Sequence, residues 1–309
     1  MKDTSCLTAE MIIENEPSVQ DIFRSGALET GWKDLDDMTG GFLPGELICV
    51  AGRHSMGSTG LVLSILNRVC VKEKKSCLYF SLAEDGRNLM SRLVANVSGN
   101  QAIFQPKYES QLKDTLGKVE KSPLYINEKA FFLKSIEKTC EKRIRKTTVD
   151  LVIIDYHQLI KTKRKEDSSI ISVRLKRLAR SMGCPVIVLC QLDPCIDLRE
   201  DRRPLLSDLK SVGEMNHYAD KILLLYREEY YNIDTDHTGV TEIFIAKNNY
   251  ARRVGKVTLL HKGGGVFADA PKQNKLYCYR NDLCSMPGQS REGGRKAARG
   301  KRGKRFTSH

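Results

Sequence analysis

ELICVAGRHSMGSTGLVLSIL (residues 46–66) decides how this chain folds. An apolar run of strand character, ELICVA (46–51), leads into a glycine-bounded loop, GRHSMGSTG (52–60). The loop opens onto an amphipathic helical pattern over about 60–72. Strand, glycine loop and helix in that order let backbone N–H groups and a helix N-terminus cradle a phosphate. Gly52 and Gly57 stand in register with the pattern G-x-x-x-x-G-K-[ST], and Thr59 occupies its hydroxyl position. Lysine belongs at position 58, and the chain has Ser58. Either this is a nucleotide site without its cation, or it is a glycine turn of similar outline.

Outward from the loop, apolar runs alternate with helical patterns. SCLYFSLAE (76–84), SPLYINE (122–128), VDLVIIDYHQL (149–159), PVIVLCQL (185–192), ADKILLLYRE (219–228) and GVTEIFIAKN (239–248) read as strands. GRNLMSRLVANVSG, LKSIEKTCEKRIRKT and ISVRLKRLARSMGC read as helices between them. Continuous rather than alternating apolar strands, separated by helices, predict an α/β fold with a mostly parallel sheet covered on both faces. The closer spacing of the last strands, through RVGKVTLLHKGGGVFAD (253–269), predicts an antiparallel edge. Asp155 ends a buried strand about 100 residues after the loop, where such sites keep the acid that holds Mg2+ through water.

Composition bounds the rest. Hydrophobic residues at 40% and charged residues at 29% suit a water-soluble protein, and no apolar run approaches the ~20 residues of a bilayer crossing. The first residues carry neither a secretory core nor a transit-peptide composition, so a cytoplasmic location and no membrane partner are expected. Ten cysteines without a C-x-x-C pair are expected to be reduced core residues, not a disulfide framework or zinc site.

Net charge is +13, and residues 291–309 contribute +7 of it from eight Lys/Arg and Glu292. This Gly-rich tail (281–309 in the broader division) is expected to be unstructured. Its charge suits an arm that neutralises nucleic-acid phosphates, the alternative being a solubilising segment. Residues 1–25 form a linker segment and 26–280 the body.

Over roughly 26–275 the chain resembles the C-terminal, RecA-type motor domain of DnaB-type replicative helicases. The resemblance is carried by TGWKDLDDMTGGFLPGELICVAGRHSMGST, LYFSLAE, VIIDYHQL, PVIVLCQL, RRPLLSDLK and ADKILLLYREEYY, in family order. It implies a RecA-like P-loop NTPase fold and a ring, a hexamer in the family. The implied partners are single-stranded DNA, further ring subunits (this chain or an active helicase), and a primase or loader. The family's extra N-terminal helical domain is not expected ahead of residue 26, where at most its linker helix is expected.

ATP would lie on Gly52, Arg53, His54, Ser55, Met56, Gly57, Ser58, Thr59 and Gly60, with Mg2+ on Thr59 and Asp155. Gln191 takes the γ-phosphate sensor position at a strand end.

Three positions depart from the pattern. Ser58 replaces the loop lysine, Ala83 the glutamate that orients the attacking water, and Asn249 the arginine of the Lys-x-Arg finger inserted into a neighbouring subunit. Lys247 remains from that finger, and Arg252 and Arg253 follow out of register. Glu84 adjoins Ala83, but neighbouring side chains on a strand point apart, so Glu84 is expected to face away. An arginine finger is worth ~10³–10⁵ in rate and an oriented base ~10²–10⁴. Hydrolysis is therefore expected to be weak or absent, with residual ATP–Mg2+ binding weak.

DNA contact in the family comes from the stretch after SDL, here Lys210, Ser211 and Gly213. The basic loop IKTKRKEDSS (160–169) adds Lys161, Lys163, Arg164 and Lys165, or else is merely a solvated loop. Two other readings remain open: an active ATP-dependent helicase in which Arg53 or a tail residue replaces the lysine, and a protein that caps a helicase without touching DNA. Trp32 and Tyr230–Tyr231 are expected to pack, and His157 to be a partly buried strand-end residue.

Overall fold

A computed structural model of the chain describes residues 26–162, 168–250, 254–262 and 265–270. The expected linker helix, the basic tail, Lys163, Arg164, Lys165, Arg252 and Arg253 lie outside the described residues. The chain divides into two units, Met1–Tyr279 and Arg280–His309, and all described residues belong to the first.

β1 (Leu47–Gly52) shows why a continuous apolar run was the signal to follow. Leu47, Cys49 and Ala51 enter one core layer, while Ile48 and Val50 enter the other. Both faces are covered, so no position is left to be polar.

The strands among the described residues are β1, β2 (Cys77–Ser81), β3 (Leu124–Asn127), β4 (Leu151–Asp155), β5 (Val186–Gln191), β6 (Lys221–Tyr226), β7 (Val240–Asn248), β8 (Gly255–His261) and β9 (Phe267–Asp269). They form one sheet in the order β3-β2-β4-β5-β1-β6-β7-β8-β9. β3 through β6 are parallel, and β6 to β9 pair antiparallel along one edge, as the spacing predicts.

The helices are α1 (Lys33–Thr39), α2 (Ser58–Leu66), α3 (Gly86–Ser98), α4 (Glu109–Glu120), α5 (Leu133–Ile144), α6 (Ser168–Met182) and α7 (Met215–Tyr218). α2 and α3 bury Leu61, Leu63, Leu66, Leu89 and Leu93 in one layer. α5 and α6 bury Leu133, Ile136, Leu175 and Leu178 in the other.

Two elements differ from the sequence expectation. The helix expected over 60–72 is α-helical only to Leu66 and continues as a π-helical turn, Asn67–Lys72. α4 was not anticipated: its sequence, ESQLKDTLGKVE, buries only Thr115 and Val119, too narrow a face for an apolar period to stand out.

Trp32 packs as expected, 5% exposed, with its ring edge-on to Phe267 and its Nε1–H donating to the Phe267 carbonyl at 3.4 Å. Cys49, Cys70, Cys77, Cys140, Cys184 and Cys190 are buried free thiols, and Cys195 is an exposed one. A fully buried ion pair, Lys221 with Glu46, joins the entry of β6 to that of β1. Among the described residues, no helix is long and apolar enough to cross a membrane.

Candidate functional site

The loop between β1 and α2 bends back over the strand it leaves. Met56 N–H donates to the Arg53 carbonyl at 3.2 Å, Ser55 takes φ +64°, and Gly57 takes φ +92° immediately before the first residue of α2. Only glycine holds the last conformation without strain. Gly52 is needed for closeness: a Cβ there would stand 3.1 Å from Ser58 Oγ and 3.2 Å from Met56 Cβ. The loop thus packs tightly on its own strand and presents backbone and a helix N-terminus to the space above.

That space is a cleft of about 790 Å³. Its walls include the loop, Leu82, Ala83 and Glu84 beyond β2, Asp155 and Tyr156 at the end of β4, and Gln191 at the end of β5. Strand order explains the meeting, because β2, β4, β5 and β1 are successive neighbours and run parallel. Residues at their C-terminal ends therefore converge on one mouth. Of the loop residues assigned from sequence, Gly52, Arg53, His54, Ser55, Gly57, Ser58, Thr59 and Gly60 line the cleft. Met56 does not; it is 1% exposed and packs beneath the loop, where its Sδ accepts the Arg227 N–H at 3.3 Å.

Asp155 is 4% exposed. It accepts a hydrogen bond from Tyr79 Oη at 2.8 Å, and the Thr59 hydroxyl lies close by. Burial pushes its carboxyl above the usual range, against the pull of those two hydroxyls and of Arg92. A carboxylate in that setting gains from a nearby cation, and Thr59 and Asp155 together could hold Mg2+ alongside water and phosphate oxygens. Among the described residues, no group of three or more His, Cys, Asp and Glu is placed to hold a metal. Gln191 is positioned through its backbone: its carbonyl accepts from Gln158 Nε2 at 2.7 Å, and its N–H donates to Gln158 Oε1 at 3.3 Å. Gln158 went unnoticed in the sequence, where nothing separates it from an ordinary polar residue after a strand.

Arg53 is committed elsewhere. Its Nη2 meets Asp197 Oδ2 at 2.7 Å, its Nε also faces that carboxylate, and its Nη1 donates to the Leu192 carbonyl at 3.3 Å. Tyr231 Oη donates to the same Asp197 at 2.6 Å. These bonds raise the arginine's affinity for its proton and hold the Asp197 carboxyl below the usual range. The cation that the sequence offers as a stand-in for lysine is thus engaged beside the loop.

The expectation for Glu84 is corrected. β2 ends at Ser81, so residues 82–84 form a bend in which strand alternation no longer applies. Ala83 and Glu84 consequently line the same cleft. The Ser81 hydroxyl donates to the Glu84 carbonyl at 2.6 Å and tightens the bend. Glu84 Oε1 accepts from Arg92 Nη1 at 2.9 Å. Burial pushes its carboxyl up; Arg92 opposes that shift and the like charge of Asp155 adds to it.

Arg92 was also missed. It lies on α3, two turns past an Asp85 N-cap that accepts the Asn88 N–H at 2.7 Å. Helical side chains lean toward the N-terminus, so a long arginine there reaches back to the bend. The legible cap is the signal that could have found it.

The finger positions lie at the C-terminal end of β7, beside the start of β6. Lys247 Nζ donates to the carbonyls of Asn216 and His217 at 2.9 and 3.0 Å, and Asn249 Nδ2 donates to Asp220 Oδ1 at 3.4 Å. Lys210 is exposed on a 3-10 segment, Leu206–Val212, which ends at Gly213 with φ +63°. Ser211 belongs to the same segment. Lys161 is exposed after β4, its Nζ 5.7 Å from the Phe131 ring. Lys161 and Lys210 follow the C-terminal ends of the adjacent strands β4 and β5.

His157 departs from its expectation: it sits in a 3-10 turn and is 2% exposed.

With this geometry in hand, comparison with known proteins is specific. The DnaB-like helicase C terminal domain family matches residues 27–266. A "Replicative DNA helicase DnaB" of Geobacillus stearothermophilus is 33% identical over 233 residues, covering 71% of this chain and 51% of that protein. A "Replicative DNA helicase DnaC" of Bacillus subtilis (strain 168) is 33% identical over 245 residues, covering 75% and 54%. Among solved structures, the "ATPase Domain of G40P" superposes with a TM-score of 0.74 at 29% identity, covering 80% of this chain and 93% of that one. A second, titled "The Structure Of A DnaB-Like Replicative Helicase And Its Interactions With Primase", gives a TM-score of 0.76 at 28% identity, covering 87% and 68%. The chain spans about half the length of the curated relatives it matches. With a RecA-like sheet and a family match running through the phosphate loop, Asp155 and Gln191, the chain belongs to the DnaB-like helicase C-terminal domain family.

Proposed function

We propose that this chain is a DnaB-type replication protein that binds single-stranded DNA as a ring or ring-associated subunit, while its nucleotide cleft binds ATP–Mg2+ weakly and hydrolyses it slowly or not at all. One observation carries the reading. A single cleft keeps the loop glycines, Thr59, Asp155 and Gln191, yet has Ser58 where an ammonium is needed and Ala83 where a base is needed. Arg53, the nearest substitute for the ammonium, is held by Asp197. Asn249 ends the finger without a guanidinium.

The family's phosphoryl transfer relies on cation, base and finger acting together on one transition state, so losing all three removes most of the acceleration. Holding a nucleotide demands less. The cleft is of ligand size, and the backbone of the glycine loop, the start of α2 and a metal on Thr59 and Asp155 would all favour phosphate. DNA contact would come from Lys210, Ser211, Gly213 and Lys161, with Lys163, Arg164 and the tail. Ring partners would be copies of this chain or an active helicase, with a primase or loader as further partners.

One observation favours a second reading, an active ATP-dependent helicase: Glu84 places a carboxylate on the cleft wall beside the vacant base position.

Steady-state ATP turnover with Mg2+ and single-stranded DNA separates the two. The favoured reading expects turnover at background and retained oligonucleotide binding. Turnover well above background that disappears in Glu84→Gln would establish the second. Absence of oligonucleotide binding would leave a capping role.

A further inference from the structure

β7 ends in a lysine that is held within its own subunit. Up to Ala246 the strand alternates: Ile243 and Ile245 enter one core layer, while Phe244 and Ala246 face the other. Continued alternation would return Lys247 to the layer of Ile245. The pairing with β6 breaks that rule, because Ile222 lies opposite Lys247 while Leu223, the next residue, lies opposite Ile245. Ala246 is therefore the extra residue of a β-bulge, and a bulge re-aims the side chain beside it. Lys247 comes to share the face of Ile222, the layer in which Met215 and Ala219 pack at α7. Asn248 turns the other way and donates to the Met38 carbonyl at 3.2 Å.

What Lys247 meets on that face is a helix end. α7 has four residues, too few to be stable through its own hydrogen bonds, and the last carbonyls of a helix have no intrahelical donor. The Lys247 ammonium supplies one to Asn216 at 2.9 Å and one to His217 at 3.0 Å. α7 follows closely on the segment Leu206–Val212 and Gly213. Nearer its start, that segment is held by Asp208, which accepts from Arg199 at 3.1 and 2.9 Å, and Leu209 and Val212 anchor it in the core. Between the two holds, Lys210 stands exposed and Gly213 takes φ +63°.

We propose that Lys247 is a positioning residue for DNA contact within its own subunit: by capping α7 from the bulged end of β7, it fixes the segment that presents Lys210 and the Gly213 backbone to a single strand. The inference rests on the proposed reading of that segment as the DNA contact. In the family this lysine belongs to the finger inserted into a neighbouring subunit. Here its ammonium is engaged by two carbonyls, and reaching outward would leave both without their donor. A segment already held at both ends loses little freedom when a phosphate binds, whereas one released at α7 must be ordered at that moment, which weakens binding.

The test compares Lys247→Met, Lys247→Arg, Lys210→Gln and the Lys247→Met, Lys210→Gln double variant in the full-length chain. Fluorescence anisotropy of a labelled oligothymidine, without nucleotide, is read across a salt series. Lys247→Met should lose about 2- to 5-fold in affinity and lower the salt slope by roughly one unit, as Lys210→Gln does. The double variant should be no worse than either single change, because the same phosphate contact is lost in each. Lys247→Arg keeps a cation that can bridge two carbonyls and should restore most of the binding. Hydrogen exchange at the amides of residues 209–219 should accelerate in Lys247→Met and hold steady in β4. Melting curves establish that each variant is folded; should Lys247→Met not fold, Lys247→Gln carries the same comparison.

A slope that falls by two units in the double variant would make Lys247 a phosphate contact itself and overturn the proposal. Faster exchange with unaltered oligonucleotide affinity would also overturn it, since that is what a merely structural cap produces. So would weakened ATP binding with unaltered oligonucleotide affinity, which would return the lysine to a neighbour's cleft. If Lys210→Gln itself leaves oligonucleotide binding unchanged, the DNA reading of the segment fails, and this inference with it.

Discussion

His157 follows Asp155 by two residues and is sealed from solvent, and burial pushes its imidazole down to about 4. The sign of the consequence follows from proton counting. Between its ordinary value near 6.5 and about 4, the unfolded chain binds a proton there that the folded chain refuses. Stability from this residue is full above the ordinary value and is lost as pH falls through that window. The loss amounts to about 2–3 kcal/mol by roughly pH 4.5. The carboxyls of Glu46, Glu84 and Asp155, whose values partial or full burial raises, act in the opposite direction, so wild type alone would not reveal the histidine. His157→Leu removes the titrating ring and keeps an apolar filling. Denaturant unfolding at about pH 7.5 and 4.5 should show the variant gaining about 2–3 kcal/mol on wild type at the lower pH; a constant difference would mean that the ring takes up its proton in the fold as readily as in the unfolded chain. Thr59 and Asp155 were legible because a spacing names them, and Gln191 because the family resemblance does. His157 was misjudged because strand-end position says little about depth, and Glu84 because alternation was carried one bend too far.

α2 and α3 are tied to the β8–β9 turn by a small polar knot. Asn96 Nδ2 donates to Ser64 Oγ at 2.8 Å and to the Gly265 carbonyl at 2.7 Å, while its Oδ1 accepts from Asn67 Nδ2 at 3.2 Å. Ser64 Oγ adds a bond to the same carbonyl at 3.0 Å. Beneath the knot, a Cβ on Gly60 would stand 2.7 Å from Gly265 Cα, so the turn rests directly on the helix backbone beside the loop. Gly265 and His261 border the cleft, so the knot holds part of its wall. Asn96→Ala should lower stability by about 1–3 kcal/mol, since it leaves buried partners unsatisfied. Hydrogen exchange at the amides of α2 and β9 should accelerate more than at β4. Uniform exchange with unchanged melting would show the knot to be idle. None of this was readable from sequence, because Asn67, Asn96 and Gly265 are brought together by the sheet and belong to no periodic pattern. The strands were legible for the opposite reason. Burial on both faces left β1, β4, β5 and β6 as unbroken apolar runs, whereas α4 shows too little apolar face to register.

Across the whole molecule, charge is arranged in two tiers. Lys161 and Lys210 follow adjacent strands of the sheet, while eight of the Lys/Arg lie within residues 291–309. The family match ends at residue 266 and the described residues at 270, so a chain ending at residue 287 keeps all of both. Proteins that neutralise phosphates release counterions, and the logarithm of affinity for single strands falls with the logarithm of salt by about 0.7 per phosphate neutralised. If the tail engages DNA as proposed, its loss should weaken oligonucleotide binding at low salt and reduce that slope by up to about five. What remains should be a smaller slope belonging to the loops, and Lys210→Gln in the shortened chain should lower it by roughly one further unit. Fluorescence anisotropy of a labelled oligonucleotide across a salt series reads both changes. Equal slopes for the full and shortened chains would remove the tail from the interface. A shortened chain with no slope at all would instead assign the DNA contact wholly to the tail and remove Lys161 and Lys210 from it.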